Sequence, residues 1–311
     1  MAVVCNAMHI LSADQFTKKQ LEELFALTDS IRAQFQNDKL TLLQRHAGKI
    51  LITLFYEPST RTRLSFAAAA AHMGMNVIST ENAREFSSAA KGETIEDTAR
   101  VLAEYYPDVI VIRHHETGEV ARAAAVSSVP IINAGDGKGE HPTQSLLDAY
   151  TIWDHHKKLS NLRIVIGGDL LHGRTARSLC KVLACFSGNH IVFNTIPELQ
   201  MADDIKEYLT EHSVTFEEQS DMKLAFAGAD VVYWTRLQKE RLPEGVNITQ
   251  TFSINNKAMR YLPESAIVLH PLPRVDEIDV EVDKDPRAKY FEQAGNGMFV
   301  RMALLDQILG E

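Results

Sequence analysis

The chain has 311 residues, which is enough for a substantial core and indicates two domains rather than one. With 45% hydrophobic and 23% charged residues, it is neither a disordered nor a fibrous protein. The formal net charge of -9 argues against a general nucleic-acid binder. No stretch approaches the roughly 20 apolar residues that a membrane span needs, and the first residues lack the pattern of a secretory signal. We therefore expect a cytoplasmic protein that contacts neither membrane nor nucleic acid.

The first chemical signal follows a short, β-rich apolar run at 49–55, which is typical of a strand buried on both faces of a parallel sheet. Pro58 disfavours helix before it and Ser59 is a good N-cap, so we predict a helix from about Ser59 to a stop at Gly74. Apolar residues recur along it at helical spacing: Leu64, Ala67, Ala68, Ala71 and Met75.

The start of this helix has the chemistry of an anion site. Its first N–H groups and positive dipole end would face the space beyond the strand, and hydroxyl and guanidinium groups would join them. Those side chains are Ser59, Thr60, Arg61 and Thr62. The alternative is an ordinary capped helix that carries two surface arginines.

A polar stretch at 80–92 contains Ser87 and Lys91 and has no apolar period, so it predicts an exposed loop of a length that is usually functional or mobile. A lone lysine in a loop is usually just solvated. Thr94 then resembles the start of a capping box and indicates another helix.

Two further predicted strands end in polar side chains. The strand at 108–113 ends in Arg113, and the strand at 129–133 leads to His141. In doubly wound sheets, ligands bind beyond the carboxyl ends of the strands, where these side chains would join Ser59. His141 precedes Pro142, however, and could simply cap the predicted helix at 142–156.

A second series of strand and helix signals follows that helix. Predicted strands at 162–169, 230–235 and 266–269 lead to Arg174, Arg236 and His270. For His270 and Arg274, a structural role is as plausible as ligand contact. The glycines near 167 fit neither G-x-G-x-x-G nor a Walker motif, so we reject dinucleotide and ATP binding. The C-terminal helices are expected to break near 295–297.

These signals predict an α/β protein with two domains of similar size, each a parallel β-sheet flanked by helices. We expect the active site in a cationic cleft between the domains. The three cysteines form no CxxC pair and are expected to be free thiols without chemistry. They are Cys5, Cys180 and Cys185.

Six segments carry motifs of one known family, in that family's order: 55–66, 91–94, 141–144, 173–175, 235–241 and 270–274. On these segments the sequence resembles the aspartate/ornithine carbamoyltransferase family over essentially its whole length. The resemblance implies transfer of the carbamoyl group of carbamoyl phosphate to the α-amine of L-aspartate, giving N-carbamoyl-L-aspartate and phosphate in de novo pyrimidine biosynthesis. It implies no metal and no organic cofactor.

The resemblance also implies an assembly and a division of the chain. The assembly is a homotrimer with sites shared between subunits. The carbamoyl-phosphate-binding domain would be 1–141 plus 292–311, and the aspartate-binding domain 142–291.

The resemblance assigns each matched residue a role. The implied phosphate ligands are Ser59, Thr60, Arg61 and Thr62. The groups implied to polarise the carbamoyl carbonyl are Arg113, His141 and Thr62. The carbamoyl NH2 would be bound by Gln144 and the backbone of Pro271 and Leu272. The implied aspartate ligands are Arg174, Arg236 and Gln238. Ser87 and Lys91 would enter from the neighbouring subunit. An interdomain latch would pair Glu57 with Arg174 and Arg241.

Two other functions stay open at this point. Ornithine-specific members of the family usually carry His-Cys-Leu-Pro where this chain has His-Pro-Leu-Pro at 270–273, and they lack a Ser-x-x-x-Lys loop such as the one at 87–91. A non-catalytic anion-binding subunit is the second alternative. The segment 242–252 and the Leu171–His172 pair depart from the pattern of bacterial members, which leaves association with a zinc-bearing regulatory chain open.

Overall fold

The computed structural model describes residues 8–137, 139–237 and 253–310. The chain divides into two compact units, Met1–Thr143 with Gly297–Glu311, and Gln144–Asn296. The prediction placed the same divisions at 141/142 and 291/292, a few residues away. Both divisions fall inside helices rather than in linkers.

The first unit is built from four parallel strands and the helices that connect and cover them. The strands are β1 (Ile50–Phe55), β2 (Asn76–Thr80), β3 (Val109–His114) and β4 (Ile131–Asp136). The helices are α1 (Lys18–Asn37), α2 (Lys39–Gln44), α3 (Thr60–His72), α4 (Ala83–Phe86), α5 (Ile95–Ala103), α6 (Glu119–Val126) and the start of α7 (Pro142–His156). The last part of α12 (Tyr290–Leu309) completes this unit.

The second unit repeats the plan with five parallel strands. They are β5 (Arg163–Gly167), β6 (His190–Asn194), β7 (Thr215–Glu218), β8 (Val231–Trp234) and β9 (Ile267–Leu269). Between them lie α8 (Arg174–Ala184), α9 (Asp203–Glu211), α10 (Met222–Phe226) and α11 (Asn256–Met259). The predicted class, two α/β domains with parallel sheets flanked by helices, is confirmed.

The strand orders place one topological switch point in each sheet. In the first unit the order is β2-β1-β3-β4, so β2 lies on one side of β1 and the later strands lie on the other; the switch point is between β1 and β3. In the second unit the order is β7-β6-β5-β8-β9, and the switch point is between β5 and β8. Ligands of open α/β sheets bind outside the carboxyl ends of the strands at such points. The sheets therefore define two candidate ligand positions, one in each unit.

Local sequence explains where several helices begin. Thr17 and Thr94 occupy the N-caps of α1 and α5, and their hydroxyls accept from the backbone N–H of Gln20 at 3.3 Å and of Asp97 at 3.2 Å. The cap predicted at Thr94 is thus confirmed. Ser59 also occupies an N-cap position, in extended conformation, but its side chain makes no capping hydrogen bond.

Three predictions of local structure were wrong in detail. The apolar residues used to predict α3 are not those that it buries, because Leu64 is 50% exposed while Phe66 lies in the core. The stretch 80–92 is not irregular: it holds α4 and a 3-10 helix at Ser88–Lys91. The C-terminal segment does not break near 295–297, since α12 is continuous. Two glycines cost a helix only about 1 kcal/mol each, which burial of the following turns outweighs.

Among the residues that the structure describes, no helix combines the length and the apolar character that crossing a bilayer requires.

Candidate active site

The first candidate position lies where β1 ends and α3 begins. Thr62 is buried in the first turn of α3, Ser59 is half-buried before it, and Thr60 is exposed. Since the Ser59 hydroxyl is not used as a cap, it can donate to a ligand together with the first N–H groups of the helix.

The two arginines of this turn differ in their surroundings. Arg63 donates to Glu81 at 2.7 Å and to the Ser79 hydroxyl at 3.3 Å, so its charge is already neutralised. Within 8–137, 139–237 and 253–310, Arg61 has no ion-pair partner. Partial burial lowers the pKa of the Arg61 guanidinium, but arginine stays cationic at neutral pH. The uncompensated charge beside the helix start is therefore Arg61.

Arg113 reaches the same edge from the neighbouring strand. Phe55 of β1 pairs with Arg113 of β3 across the switch point, and the Arg113 carbonyl accepts the Tyr56 N–H at 2.9 Å. The Arg113 guanidinium donates to Glu57 from Nη2 at 2.8 Å and from Nε at 3.0 Å. The third nitrogen of the guanidinium, Nη1, donates to the Ala134 carbonyl at 3.4 Å. Arg113 is thus fixed at the carboxyl edge of the sheet by the residues on either side of it.

His141 follows the next strand of the sheet. The loop before it is held by Asp136, whose two carboxylate oxygens accept the N–H of Glu140 at 2.8 Å and of Gly118 at 2.9 Å. His141 itself is 4% exposed and directly precedes Pro142, the first residue of α7. The carboxyl edge of the first sheet therefore carries all the residues predicted for phosphate and carbonyl: Ser59, Thr60, Arg61, Thr62, Arg113 and His141.

The second candidate position lies where β5 and β8 end side by side. Gly167 and Gly168 permit this approach, because a Cβ atom on Gly168 would lie 2.1 Å from the Thr235 carbonyl oxygen. Thr235 in turn donates its N–H to the Gly167 carbonyl at 2.9 Å. Arg236 is the next residue, and Arg174 begins α8 after β5. Both arginines predicted for aspartate therefore follow the two strands at the switch point.

Of the other residues predicted for the second unit, some lie outside the described part of the chain. These are Gln238 and Arg241, together with the segment 242–252. The latch predicted for Glu57 stays a prediction. Arg274, the residue with a possible structural role, donates to Asp283 at 2.6 Å and to the Tyr290 hydroxyl at 3.0 Å, which is a structural arrangement.

Gln144 and the turn at 271–272, predicted to bind the carbamoyl NH2, both belong to the second unit. The Gln144 side chain donates to the Asp148 carboxylate at 2.8 Å. Leu272 takes a left-handed conformation with φ 53°, and its N–H donates to His270 Nδ1 at 2.8 Å. The backbone at Pro271 and Leu272 is therefore held by the adjacent histidine.

The fully buried Asp148 also accepts from Tyr233 and Gln293, and it was not among the residues predicted from the sequence. The sequence does contain a pattern that predicts its contact with Gln144. Gln144 and Asp148 are four residues apart on a predicted helix, a spacing at which glutamine and aspartate hydrogen-bond. Gln293 could not be found in this way, because it comes from a distant part of the chain.

Ser87 and Lys91 lie together on the exposed rim of the first unit. The Ser87 hydroxyl donates to the Ala83 carbonyl and accepts the Ala89 N–H, which starts the 3-10 helix that ends at Lys91. Lys91 is exposed. In the described part of the chain, no group of three or more His, Cys, Asp or Glu side chains is arranged to hold a metal ion.

Two family models match the chain in succession. Residues 8–154 match "Aspartate/ornithine carbamoyltransferase, carbamoyl-P binding domain", and residues 160–308 match "Aspartate/ornithine carbamoyltransferase, Asp/Orn binding domain". The division between the two matches falls near the division between the two compact units.

Curated relatives and solved structures agree with these matches. The chloroplastic aspartate carbamoyltransferase of Oryza sativa subsp. japonica is 47% identical over 96% of this chain and 84% of its own length. The aspartate carbamoyltransferase catalytic subunit of Clostridium botulinum is 44% identical over 97% of this chain and 98% of its own. Aspartate transcarbamoylase from Trypanosoma cruzi, solved with carbamoyl phosphate and aspartate, is 36% identical and superposes with a TM-score of 0.91 over 98% of both chains.

Proposed function

The chain belongs to the aspartate/ornithine carbamoyltransferase family, and from this membership and the two switch-point sites we propose that it transfers the carbamoyl group of carbamoyl phosphate to the α-amine of L-aspartate. The products are N-carbamoyl-L-aspartate and phosphate. The observation that carries the proposal is the placement of cationic side chains at both switch points: Arg61 and Arg113 in the first unit, Arg174 and Arg236 in the second. Two anionic substrates need two such sites.

The first unit supplies the groups for the donor. The start of α3, with Ser59, Thr60, Arg61 and Thr62, is suited to a phosphate dianion. Arg113 and His141, at the ends of the next two strands, are suited to the carbonyl oxygen. As the amine attacks, negative charge develops on that oxygen and then on the departing phosphate. Fixed donors aimed at both stabilise the transition state more than the ground state.

The second unit supplies the groups for the acceptor and for the carbamoyl amide. Arg174, Arg236 and Gln238 would hold the two aspartate carboxylates, with guanidinium forks that match planar carboxylates. Gln144 and the carbonyls of Pro271 and Leu272 would accept hydrogen bonds from the carbamoyl NH2. Holding two anions in one geometry against their mutual repulsion supplies much of the rate enhancement.

L-Aspartate is favoured over L-ornithine as the acceptor. The curated relatives named above, at 44% and 47% identity, are both aspartate carbamoyltransferases. A pair of arginines also suits a second carboxylate and would repel the ammonium group of ornithine.

Phosphate release in the presence of carbamoyl phosphate and either amino acid tests this choice. We expect activity with L-aspartate and none above background with L-ornithine. Activity on ornithine alone would contradict the proposal, and phosphate binding without turnover would favour a non-catalytic subunit.

We further propose a homotrimer in which Ser87 and Lys91 complete the site of the adjacent subunit. Three large apolar side chains of α3, β2 and α4 are exposed on the single chain: Leu64 at 50%, Ile78 at 55% and Phe86 at 78%. The proposal is that these side chains are covered in the trimer, since exposed apolar side chains that form one patch mark an interface. Sedimentation equilibrium of the purified chain tests the trimer, and a monomer at micromolar concentration would contradict it.

We also propose a role in pyrimidine biosynthesis, a cytoplasmic location and association with a separate regulatory chain. The product N-carbamoyl-L-aspartate supports the first. Purification of the chain from its native source, with identification of its partners and its compartment, tests the other two.

A further inference from the structure

Asp148 joins two parts of the second unit that are far apart in sequence. Its Oδ1 accepts from Gln144 Nε2 at 2.8 Å and from Gln293 Nε2 at 2.6 Å, and its Oδ2 accepts from the Tyr233 hydroxyl at 2.8 Å. Asp148 and Gln293 are both fully buried. Burial, and then the charge of Asp148, raise the pKa of Tyr233 well above its ordinary value, so this phenol stays a hydrogen-bond donor.

The carboxylate fixes the direction of both amides. An ionised carboxylate can only accept hydrogen bonds, so each glutamine must turn its NH2 group, not its carbonyl oxygen, towards Asp148. A reversed amide would place two oxygens in contact. For Gln293 the direction is confirmed independently, because its Oε1 accepts the His270 N–H at 2.9 Å. Gln144 Oε1 is therefore directed away from Asp148 as an acceptor.

The same network continues into the turn at 270–272. Gln293 holds the backbone of His270, and His270 Nδ1 accepts the Leu272 N–H at 2.8 Å. Because Nδ1 is the acceptor in this bond, the proton of a neutral His270 ring is on Nε2, which lies 2.8 Å from the Glu277 carboxylate. The turn thus presents its carbonyls in one conformation, which is anchored through Gln293 to Asp148.

We propose that Asp148 is the positioning residue that makes the site select a donor with an NH2 group beside the reacting carbonyl, a carbamoyl phosphate and not an acyl phosphate. This inference rests on the proposed function. Asp148 touches no reacting atom; it sets Gln144 Oε1 and, through Gln293, the carbonyls of Pro271 and Leu272 as the acceptors for that NH2 group. A donor with a methyl group there would leave these acceptors unpaired, which is costly in a desolvated site.

The test compares carbamoyl phosphate with acetyl phosphate, which carries a methyl group in place of the NH2 group. Dissociation constants for both, and for inorganic phosphate, are measured by calorimetry on the intact protein. In Asp148→Asn, the new amide can donate a hydrogen bond, so the Gln144 amide can reverse. Gln144 would then present its own NH2 group to the NH2 group of carbamoyl phosphate. We expect carbamoyl phosphate affinity to fall about tenfold or more, as for a lost buried hydrogen bond. Affinities for acetyl phosphate and inorganic phosphate should stay within roughly threefold of the unchanged protein.

Tyr233→Phe is the matched control, because it also removes one hydrogen bond to Asp148 but leaves both glutamines in place. Tyr233→Phe should lower the stability of the protein but retain the ratio of its affinities for carbamoyl phosphate and acetyl phosphate (the carbamoyl-to-acetyl ratio). An equal loss of that ratio in Tyr233→Phe, or an unchanged ratio in Asp148→Asn, overturns the inference.

A double-mutant cycle tests whether Asp148 acts through Gln144. In a Gln144→Ala background, Asp148→Asn should change the carbamoyl-to-acetyl ratio much less than it does alone, whereas full additivity would overturn the inference. If Asp148→Asn does not fold, Gln293→Met takes its place. It keeps the carboxylate but releases the turn, and is expected to lower the same ratio; an unchanged ratio overturns the inference.

The outcome for the unchanged protein separates this inference from the proposed function. A protein that forms no N-carbamoyl-L-aspartate and does not prefer carbamoyl phosphate contradicts the function itself. An active protein whose preference survives Asp148→Asn contradicts only the role of Asp148.

Discussion

The Glu57 carboxylate and the Arg113 guanidinium form a close ion pair, with Nη2 and Oε2 2.8 Å apart. Arg113 is the cation that we propose to polarise the substrate carbonyl, so an anion of the protein already occupies part of its hydrogen-bonding capacity. A ligand oxygen that approaches Arg113 must share the guanidinium with Glu57 or displace it.

Glu57→Gln should therefore tighten the binding of carbamoyl phosphate, whose carbonyl oxygen we place at Arg113. The gain should reach about fivefold, which is the value of a partly exposed ion pair. Titration calorimetry of the apo protein measures it. Glu81→Gln is the matched control, because it removes a similar pair with Arg63, which we do not place in the site. Weaker binding of carbamoyl phosphate in Glu57→Gln would show that Glu57 supports Arg113 and does not compete for it.

Gly168→Ala should destabilise the second unit and weaken aspartate binding together. Its φ of 95° is unfavourable for alanine, and the added Cβ would lie 2.1 Å from the Thr235 carbonyl oxygen, next to Arg236. Gly228→Ala has a similar backbone strain, with φ 71°, but meets nothing within 4 Å.

For Gly228→Ala the expected loss is about 1–2 kcal/mol from backbone strain, and Gly168→Ala should lose a further 1–3 kcal/mol or so from the clash. Urea unfolding gives both values. If the two variants lose equal stability, the close approach of the strands is not what requires glycine at 168.

Asp306 ties α12 to the region around α2 through Arg45 and His46, at 2.6 Å and 2.8 Å. Burial alone would raise the pKa of Asp306, but the hydrogen bonds from His46 and Arg45 outweigh this effect. They hold the pKa below the ordinary aspartate value of 3.8. Because the folded-state pKa lies below the unfolded one, the carboxylate stabilises the protein above pH 3.8, and that contribution is lost as the pH falls further.

Asp306→Asn should consequently lose about 3–5 kcal/mol at pH 7, as expected when one partner of a buried pair is removed. The difference from the unchanged protein should shrink below pH 3.8. Denaturant unfolding across pH 3 to 7 measures it, with Asp203→Asn, whose side chain is 91% exposed, as the control. A difference that is independent of pH would exclude the ionised pair as its source.

Arg61→Ala and Lys91→Ala should each lower kcat by about a hundredfold or more, the usual effect of losing a charged group that stabilises the transition state. If Lys91 acts on the neighbouring subunit, trimers reassembled from equal amounts of both variants should recover activity. In random mixing, roughly a quarter of the sites escape both changes. Absence of recovery after verified subunit exchange would place Lys91 in the site of its own chain.

The fold and the first half of the site follow closely from local sequence. Buried strands read as apolar runs, Thr94 and Ser59 mark helix starts, and polar residues after each strand predict where a parallel sheet binds its ligand. Arg61 and Arg113 were predicted for the site in this way, because chain order alone brings strand ends to one edge.

What the sequence could not provide depends on contacts between distant segments. Gln293 reaches Asp148 across almost half the chain, and no local pattern marks it. The two glycines in α12 indicated a break, yet burial of the turns that follow outweighs their low helix propensity. The ion pairs that distinguish Arg61 from Arg63 were equally invisible, since both arginines look alike in sequence.

Helix α12 has one more consequence, for the order in which the molecule is built. Its final turns carry Val300, Met302 and Leu304 into the core of the first unit, and Asp306 into contact with Arg45. These residues are synthesised after the whole of the second unit. During translation, the unit that begins first is thus completed last: its sheet must wait for the closing helix while the inserted unit already has its full set of strands. A nascent chain released near residue 296 would contain one finished unit and one with an open apolar surface, which makes the first unit the more dependent on chaperones.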